Sequence, residues 1–149
     1  MLQTIKKMNI TKNGFLLSTD KAKLQVGGIH SFLASSYWAT NIPKATVEKS
    51  IKHSLCFGIY KENQQVGFAR IMSDYATFAY LADVFVLEAY RGHGLAKWLV
   101  QSIRQHPDLQ GLRRWMLATH DAHALYAQYA DFVPIENPEM WMEIKESYH

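Results

Sequence analysis

The spacing of apolar residues changes period along the chain, and each change marks an element. Gly14 to Ser18 is a short apolar run that predicts a first strand. Asp20 is set to cap a helix in which Leu24, Gly27, Gly28, Ile29, Phe32 and Leu33 recur at helical spacing. The paired glycines either weaken that helix or mark a close backbone approach. Ser35 to Pro43 reads as a loop carrying two aromatics, Tyr37 and Trp38, and a second short helix is predicted from Lys44 to about Ser54.

Beyond Ser54 the residue types change to those of strands. Leu55 to Tyr60, Gln65 to Met72 and Thr77 to Leu87 are rich in β-branched and aromatic residues, and the connectors Lys61 to Gln64 and Ser73 to Ala76 are short. Short connectors predict antiparallel hairpins, hence a three-stranded meander. Gly94 to Gln105 then sets Leu95, Trp98, Leu99 and Ile103 on one face against Lys97, Gln101 and Arg104 on the other, an amphipathic helix ending near Pro107. Arg114 to Thr119 predicts another strand, Asp121 a cap for a helix from Ala122 to about Ala130, and Met140 to Ile144 a last strand. The order β-α-α-β-β-β-α-β-α-β predicts an α/β (α+β) fold, a mixed sheet with helices on its faces.

Composition narrows the class. At 149 residues with 48% hydrophobic and 19% charged positions, the chain fits one domain, residues 1–149, with a buried core. A single cysteine, Cys56, allows no internal disulfide and suits a reducing cytoplasm; within an apolar strand it reads as a small core residue. Met1 to Gly14 has no apolar core of a signal peptide, and Thr77 to Leu87 is interrupted by Asp83 and too short to span a bilayer. The expectation is a soluble cytoplasmic protein with no membrane partner. No His, Cys or Asp cluster has metal-ligand spacing, so no metal is expected. The net charge of +3 includes no dense basic run, which argues against nucleic acid as a partner.

One local bias matters. Between Arg91 and Arg114 stand five basic residues and one acid, Asp108. This segment opens with Arg91-Gly92-His93-Gly94-Leu95-Ala96, between a predicted strand and an amphipathic helix. Backbone N–H groups in such a loop and first helical turn lack internal partners and converge on one spot. Glycines at 92 and 94 let the backbone approach a phosphate closely. The helix dipole adds roughly 0.3–1 kcal/mol for an anion, whereas each charge-assisted hydrogen bond adds about 1.5–3 kcal/mol, so the amides dominate. The loop is no Walker motif and lacks the third glycine of a dinucleotide fingerprint. By itself it is equally a glycine turn joining strand to helix.

In its context, Val84 to Ala96 resembles the acyl-CoA-binding motif of the GNAT superfamily of N-acetyltransferases: a hydrophobic strand, Arg/Gln-x-x-Gly-x-Gly/Ala, then a helix. Ala122-His123-Ala124-Leu125-Tyr126 resembles the superfamily's Ala-x-x-Leu-Tyr helix, and the element order from Gly14 to Ile144 agrees. Three departures stand out: Ala89 at the first motif position, Thr119 where an Asn is frequent, and Ala130-Asp131-Phe132 in place of a Gly-Phe turn.

The resemblance implies a mostly antiparallel sheet of six to seven strands, helices on both faces and a splayed central strand pair. It implies acetyl-CoA as co-substrate and direct attack by a primary amine, small-molecule or peptide; a homodimer is common among such folds. An acyl-CoA-binding regulatory module without turnover is the alternative. Val84, Phe85 and Val86 would bond the pantetheine arm as an added strand does. Arg91 to Ala96, with Thr119, would hold the rest of the cofactor. Tyr126 would act as general acid at the departing sulfur, with Tyr129 as rival. A phenol is a weaker acid than a thiol, which favours a hydrogen bond to developing charge over complete proton transfer. Asp83 and His120 are the two base candidates, each open to a structural reading. Tyr37 and Trp38 would border the acceptor, and Arg70 would meet an acid on the substrate or sit solvated.

Overall fold

The computed structural model describes residues 7–149, so the start of the Met1 to Gly14 stretch lies outside it. Six strands form one sheet in sequential order: β1 (Asn9–Lys12), β2 (Phe15–Ser18), β3 (Leu55–Lys61), β4 (Gln64–Ser73), β5 (Phe78–Val86) and β6 (Arg114–Met116). All neighbours are antiparallel except β5 and β6. The hairpin β1–β2 turns on Asn13 and Gly14 with φ +52° and +81°, the left-handed pair that a two-residue turn demands.

Four helices cover the two faces. On one side, α1 (Val26–Ser35) and α2 (Lys44–Lys52) bury Ile29, Leu33, Val47 and Ile51 against Cys56, Phe68 and Phe85. On the other, α3 (Leu95–Arg104) and α4 (His123–Ala130) bury Leu95, Leu99, Val100, Ile103 and Tyr126 against Leu17, Phe57, Ile59, Ile71 and Leu81. Strands β3 and β4 are covered on both faces, which is why they read as continuous apolar runs. Among the described residues no helix is long and apolar enough to cross a membrane, and no group of three His, Cys, Asp or Glu could hold a metal.

Four expectations are corrected. Asp20 caps a short 3-10 turn, Lys21–Lys23, by accepting from the Ala22 amide, and α1 starts later, at Val26. The strand foreseen over Arg114 to Thr119 pairs only through Met116. Asp121 does not cap α4; Thr119 Oγ1 accepts the Ala122 amide at 3.1 Å instead. Met140 to Ile144 is no strand of this sheet. A 3-10 turn occupies Pro138–Met140, entered through Asn137 at φ +54°, and residues beyond it pair with nothing described. Pro134 and Pro138 each lack the N–H that a continuous ladder needs.

Candidate active site

The site is made by a divergence inside the sheet. Strands β5 and β6 pair over Phe78–Tyr80 and Arg114–Met116 only. After Tyr80 the strand β5 runs on to Val86 with that edge open, facing residues 117–119. A bulge sharpens the divergence. Ala82 pairs with Arg70 and Phe85 with Phe68, so Asp83 and Val84 together oppose Ala69. Asp83 takes φ +57°, a left-handed conformation uncommon outside glycine and Asn/Asp.

The register decides which backbone groups face the opening. The Leu87 amide donates to Val66 O at 2.8 Å, making that pair hydrogen-bonded. Antiparallel alternation then turns the Phe85 backbone toward β4 and those of Val84 and Val86 toward the opening. Of the three residues expected to offer backbone bonds there, Phe85 therefore offers none. Its ring lies on the α1 side instead, stacked on Phe32 at 3.9 Å. The Val86 carbonyl accepts from Arg91 Nε at 3.2 Å, tying the loop to the strand end.

The loop has the form its sequence requires. Gly92 and Gly94 have φ +86° and +73°, and no atom lies within 4 Å of where a Cβ would sit on either. Gly94 is the N-cap of α3, without a side-chain capping bond, and the first intrahelical bond runs from the Trp98 amide to Gly94 O. Consequently the amides of residues 92 to 97 donate to no described acceptor. Arg91, Gly92, His93 and Gly94 are exposed and Ala96 half-buried, so the row of donors is open to solvent, while the Leu95 side chain anchors the turn in the core. A recess of about 150 Å³, between Lys12, Phe15, His93 and Trp98, flanks the loop.

Tyr126 reaches the same region from α4. It is 8% exposed, its ring packs edge-on against Phe132, and its hydroxyl bonds no described residue. Burial, then Tyr37 and Asp121, push its pKa up to about 12. Tyr129 is half-buried under the Lys97 ammonium, 4.9 Å from the ring centroid, and so is less free to meet a ligand. Asp131 supplies the left-handed residue that ends α4, φ +65°, and the Phe132 amide closes back on Tyr126 O at 3.2 Å. The unusual Ala130-Asp131-Phe132 turn thus holds the tyrosine turn together.

Opposite stand the acceptor candidates. Trp38 Nε1 donates to Asp83 Oδ1 at 3.0 Å, and Arg70 Nε donates to Asp83 Oδ2 at 2.8 Å. Arg70 also reaches Ser54 Oγ, and both partners of the ion pair are largely buried. Both Asp83 oxygens are therefore engaged by protein donors, and Arg70 is engaged with Asp83. The Tyr37 hydroxyl accepts from the His120 amide at 3.2 Å, and the two rings lie 5.5 Å apart. His120 is exposed, with its imidazole beside Tyr37. The Thr119 hydroxyl accepts the Ala122 amide just ahead of α4, which commits that group locally. Phe32, stacked on Phe85 and tilted against Trp38, belongs to the same wall; in the sequence it looked like any apolar helix position. Cys56 is 1% exposed and burial raises its pKa to about 11, so it is no nucleophile.

A sheet whose last two strands diverge, with an open amide loop and a tyrosine-bearing helix on the same side, defines an acyltransferase-type fold. The chain belongs to the acetyltransferase (GNAT) family, whose model matches residues 27–132. A Xanthomonas campestris pv. campestris protein assigned to the same family is 52% identical, with TM-score 0.86 over 89% of this chain and 93% of that one. A Gibberella zeae protein, provisionally named an acetyltransferase, is 33% identical over 86% of this chain and 84% of its own. A family member from Elizabethkingia anophelis, solved with acetyl-CoA bound, shares the fold at 11% identity and TM-score 0.60, over 79% of this chain and 76% of that one.

Proposed function

We propose that this chain, as one acyltransferase domain, moves the acetyl group of acetyl-CoA to a primary amine by direct attack. The reading rests above all on the six consecutive amides of residues 92 to 97, none with a described acceptor, beside the β5–β6 opening. No other described feature gathers so many free donors, and a pyrophosphate is the anion with enough acceptors to use them. The outward backbone groups of Val84 and Val86 line up to take the pantetheine amides as a strand would.

In this reading the amine nitrogen attacks the thioester carbonyl, a C–N bond forms as the C–S bond breaks, and the proton lost from nitrogen passes by way of the base or water to the departing thiolate. Tyr126 donates a hydrogen bond to the sulfur as charge grows there. With its pKa near 12 against an ordinary thiol near 8.5, complete proton transfer would be uphill by roughly 5 kcal/mol. Tyr126 is thus a hydrogen-bond donor that keeps its proton. Asp83 holds Trp38 and Arg70 in position, leaving His120 as the candidate base beside Tyr37. The acceptor would enter between Tyr37, Trp38 and Phe32, where an apolar or flat amine finds aromatic faces.

The test is a thiol-release screen with acetyl-CoA against amines of several classes, run beside calorimetry with coenzyme A. Binding together with release by at least one amine is expected. Tight binding with no release across the panel would make the chain a CoA-binding module, and no binding heat would overturn the reading.

A further inference from the structure

Five rings run in continuous contact from strand β5 to the segment that follows β6. Phe85 stacks on Phe32 at 3.9 Å, and Phe32 tilts against Trp38 at 6.2 Å. Trp38 meets Tyr37 edge-on at 5.1 Å, and Tyr37 meets His120 at 5.5 Å. The far end is tied as well, because the Tyr37 hydroxyl accepts the His120 amide. The middle of this arc is open, with Tyr37 64% and Trp38 39% exposed. Two adjoining aromatic faces, held by their neighbours yet bare to solvent, are a surface for a ligand. After burial, Tyr37 and Asp121 also raise the Tyr126 pKa, so the arc and the Tyr126 phenol border one space.

The arc offers faces and little else. Trp38 Nε1, the one polar atom of that ring, is spent on Asp83 Oδ1 at 3.0 Å. Behind it, Asp83 and Arg70 form an ion pair at 2.8 Å, with side chains only 9% and 15% exposed respectively. Arg70 Nη1 is also committed, donating to Ser54 Oγ at 3.2 Å. Each charge of the pair cancels the other, and no guanidinium is left over for an acid on the ligand. The carboxylate close by, Asp121, is exposed and has the same sign as such an acid. A flat uncharged body can bury both faces here. A carboxylate or phosphate carried on that body would lose its water and meet no cation.

We propose that the acceptor is a primary amine tethered to a flat, uncharged aromatic body with no carboxylate or phosphate, that this body lies in the corner between Tyr37 and Trp38, and that Asp83 and Arg70 are positioning residues that set Trp38 there. The inference rests on the acyl-transfer reading and narrows its acceptor. The bonds are those already given: the tethered nitrogen gains the acetyl group and loses a proton, and coenzyme A leaves as the thiol.

Tryptamine and tryptophan share a ring system and differ by one carboxylate, so they are the probes. Each is titrated calorimetrically into protein saturated with coenzyme A and into protein alone, and thiol release is followed in parallel. Tryptamine is expected to bind at least about tenfold tighter than tryptophan. Trp38→Leu is expected to weaken tryptamine about tenfold while the KM for acetyl-CoA stays within about twofold. Asp83→Asn keeps an oxygen for Trp38 Nε1 and a side chain suited to φ +57°, but leaves Arg70 uncompensated. The preference for tryptamine over tryptophan is then expected to fall at least about threefold, which a merely structural role would not produce. Trp38→Leu decides alone where a melt shows Asp83→Asn unfolded. Equal affinity for the two probes, no binding of tryptamine, or thiol release by polyamines or amino acids but not by tryptamine overturns the proposal and leaves the acyl-transfer reading standing. Trp38-dependent binding of tryptamine with no thiol release from any amine overturns that reading instead, and leaves the arc as a binding site for aromatic amines.

Discussion

Replacing Gly94 with alanine separates the loop's two duties, ending a helix and gripping an anion. No atom lies within 4 Å of the new methyl, so no clash arises, and the cost is conformational. Holding alanine at φ +73° costs about 1–2 kcal/mol. In a domain of this size that is a fall of roughly 2–8 °C in Tm. If the backbone relaxes toward negative φ instead, the amides at 94 and 95 swing away from the point where the six donors converge. Losing two charge-assisted hydrogen bonds at about 1.5–3 kcal/mol each weakens coenzyme A binding by roughly 10²–10⁴-fold. Calorimetry with coenzyme A and thermal denaturation, run on the same preparations, read both quantities. His93→Ala is the control: its side chain is exposed while its amide survives, and affinity should change by no more than about twofold. A Gly94→Ala protein that melts lower yet binds coenzyme A like the wild type would show that these amides do not carry the phosphates.

Tyr126→Phe should lower the rate of thiol release by about 10²-fold or more while leaving coenzyme A binding and stability nearly unchanged, because the hydroxyl bonds no described residue; steady-state and binding assays on one variant check this. Asp131→Gly relieves a left-handed residue at the end of α4 and should stabilise by about 0.5–1 kcal/mol, seen as a rise of roughly 1–4 °C in Tm. His106 is fully buried, and burial lowers its pKa from the ordinary 6.5 despite the opposing pull of Asp108. The unfolded chain then binds a proton that the folded chain refuses, so stability is complete above about pH 6.5 and falls as pH drops below it. Denaturant titrations at about pH 7 and about pH 5 should show a loss that His106→Asn, which can still accept the Asp108 amide, makes smaller.

The meander and the loop were legible because they are local. Strands β3 to β5 are set by short connectors and residue type, and α3 by a clean apolar face starting at a glycine. What failed depended on partners. Strand β1, Asn9–Lys12, is wholly exposed and has no apolar alternation to betray it. Met140 to Ile144 has the alternation of a strand but finds no described edge to join, so pattern alone could not tell where it would lie. In the site, Asp83 looked equally like a base and like a paired acid. Its bonds to Arg70 and Trp38 span 13 and 45 positions of sequence, so no local pattern could show them. The direction of the Phe85 backbone needed the register with β4, which a bulge shifts by one residue and no periodicity reveals.

A β-sheet ordinarily frays from its rim inward, because interior strands are stitched on both sides. Here a gap opens one strand in from the rim: past Tyr80 the penultimate strand β5 is held along one side only, in a molecule whose β3 and β4 are sealed on both. The amides of Val84 and Val86 should therefore exchange with solvent faster than those of Phe85 and Leu87 beside them, a two-residue alternation written into the sheet. Whatever lies in the gap should erase that alternation, which makes hydrogen exchange at four neighbouring positions a direct readout of occupancy.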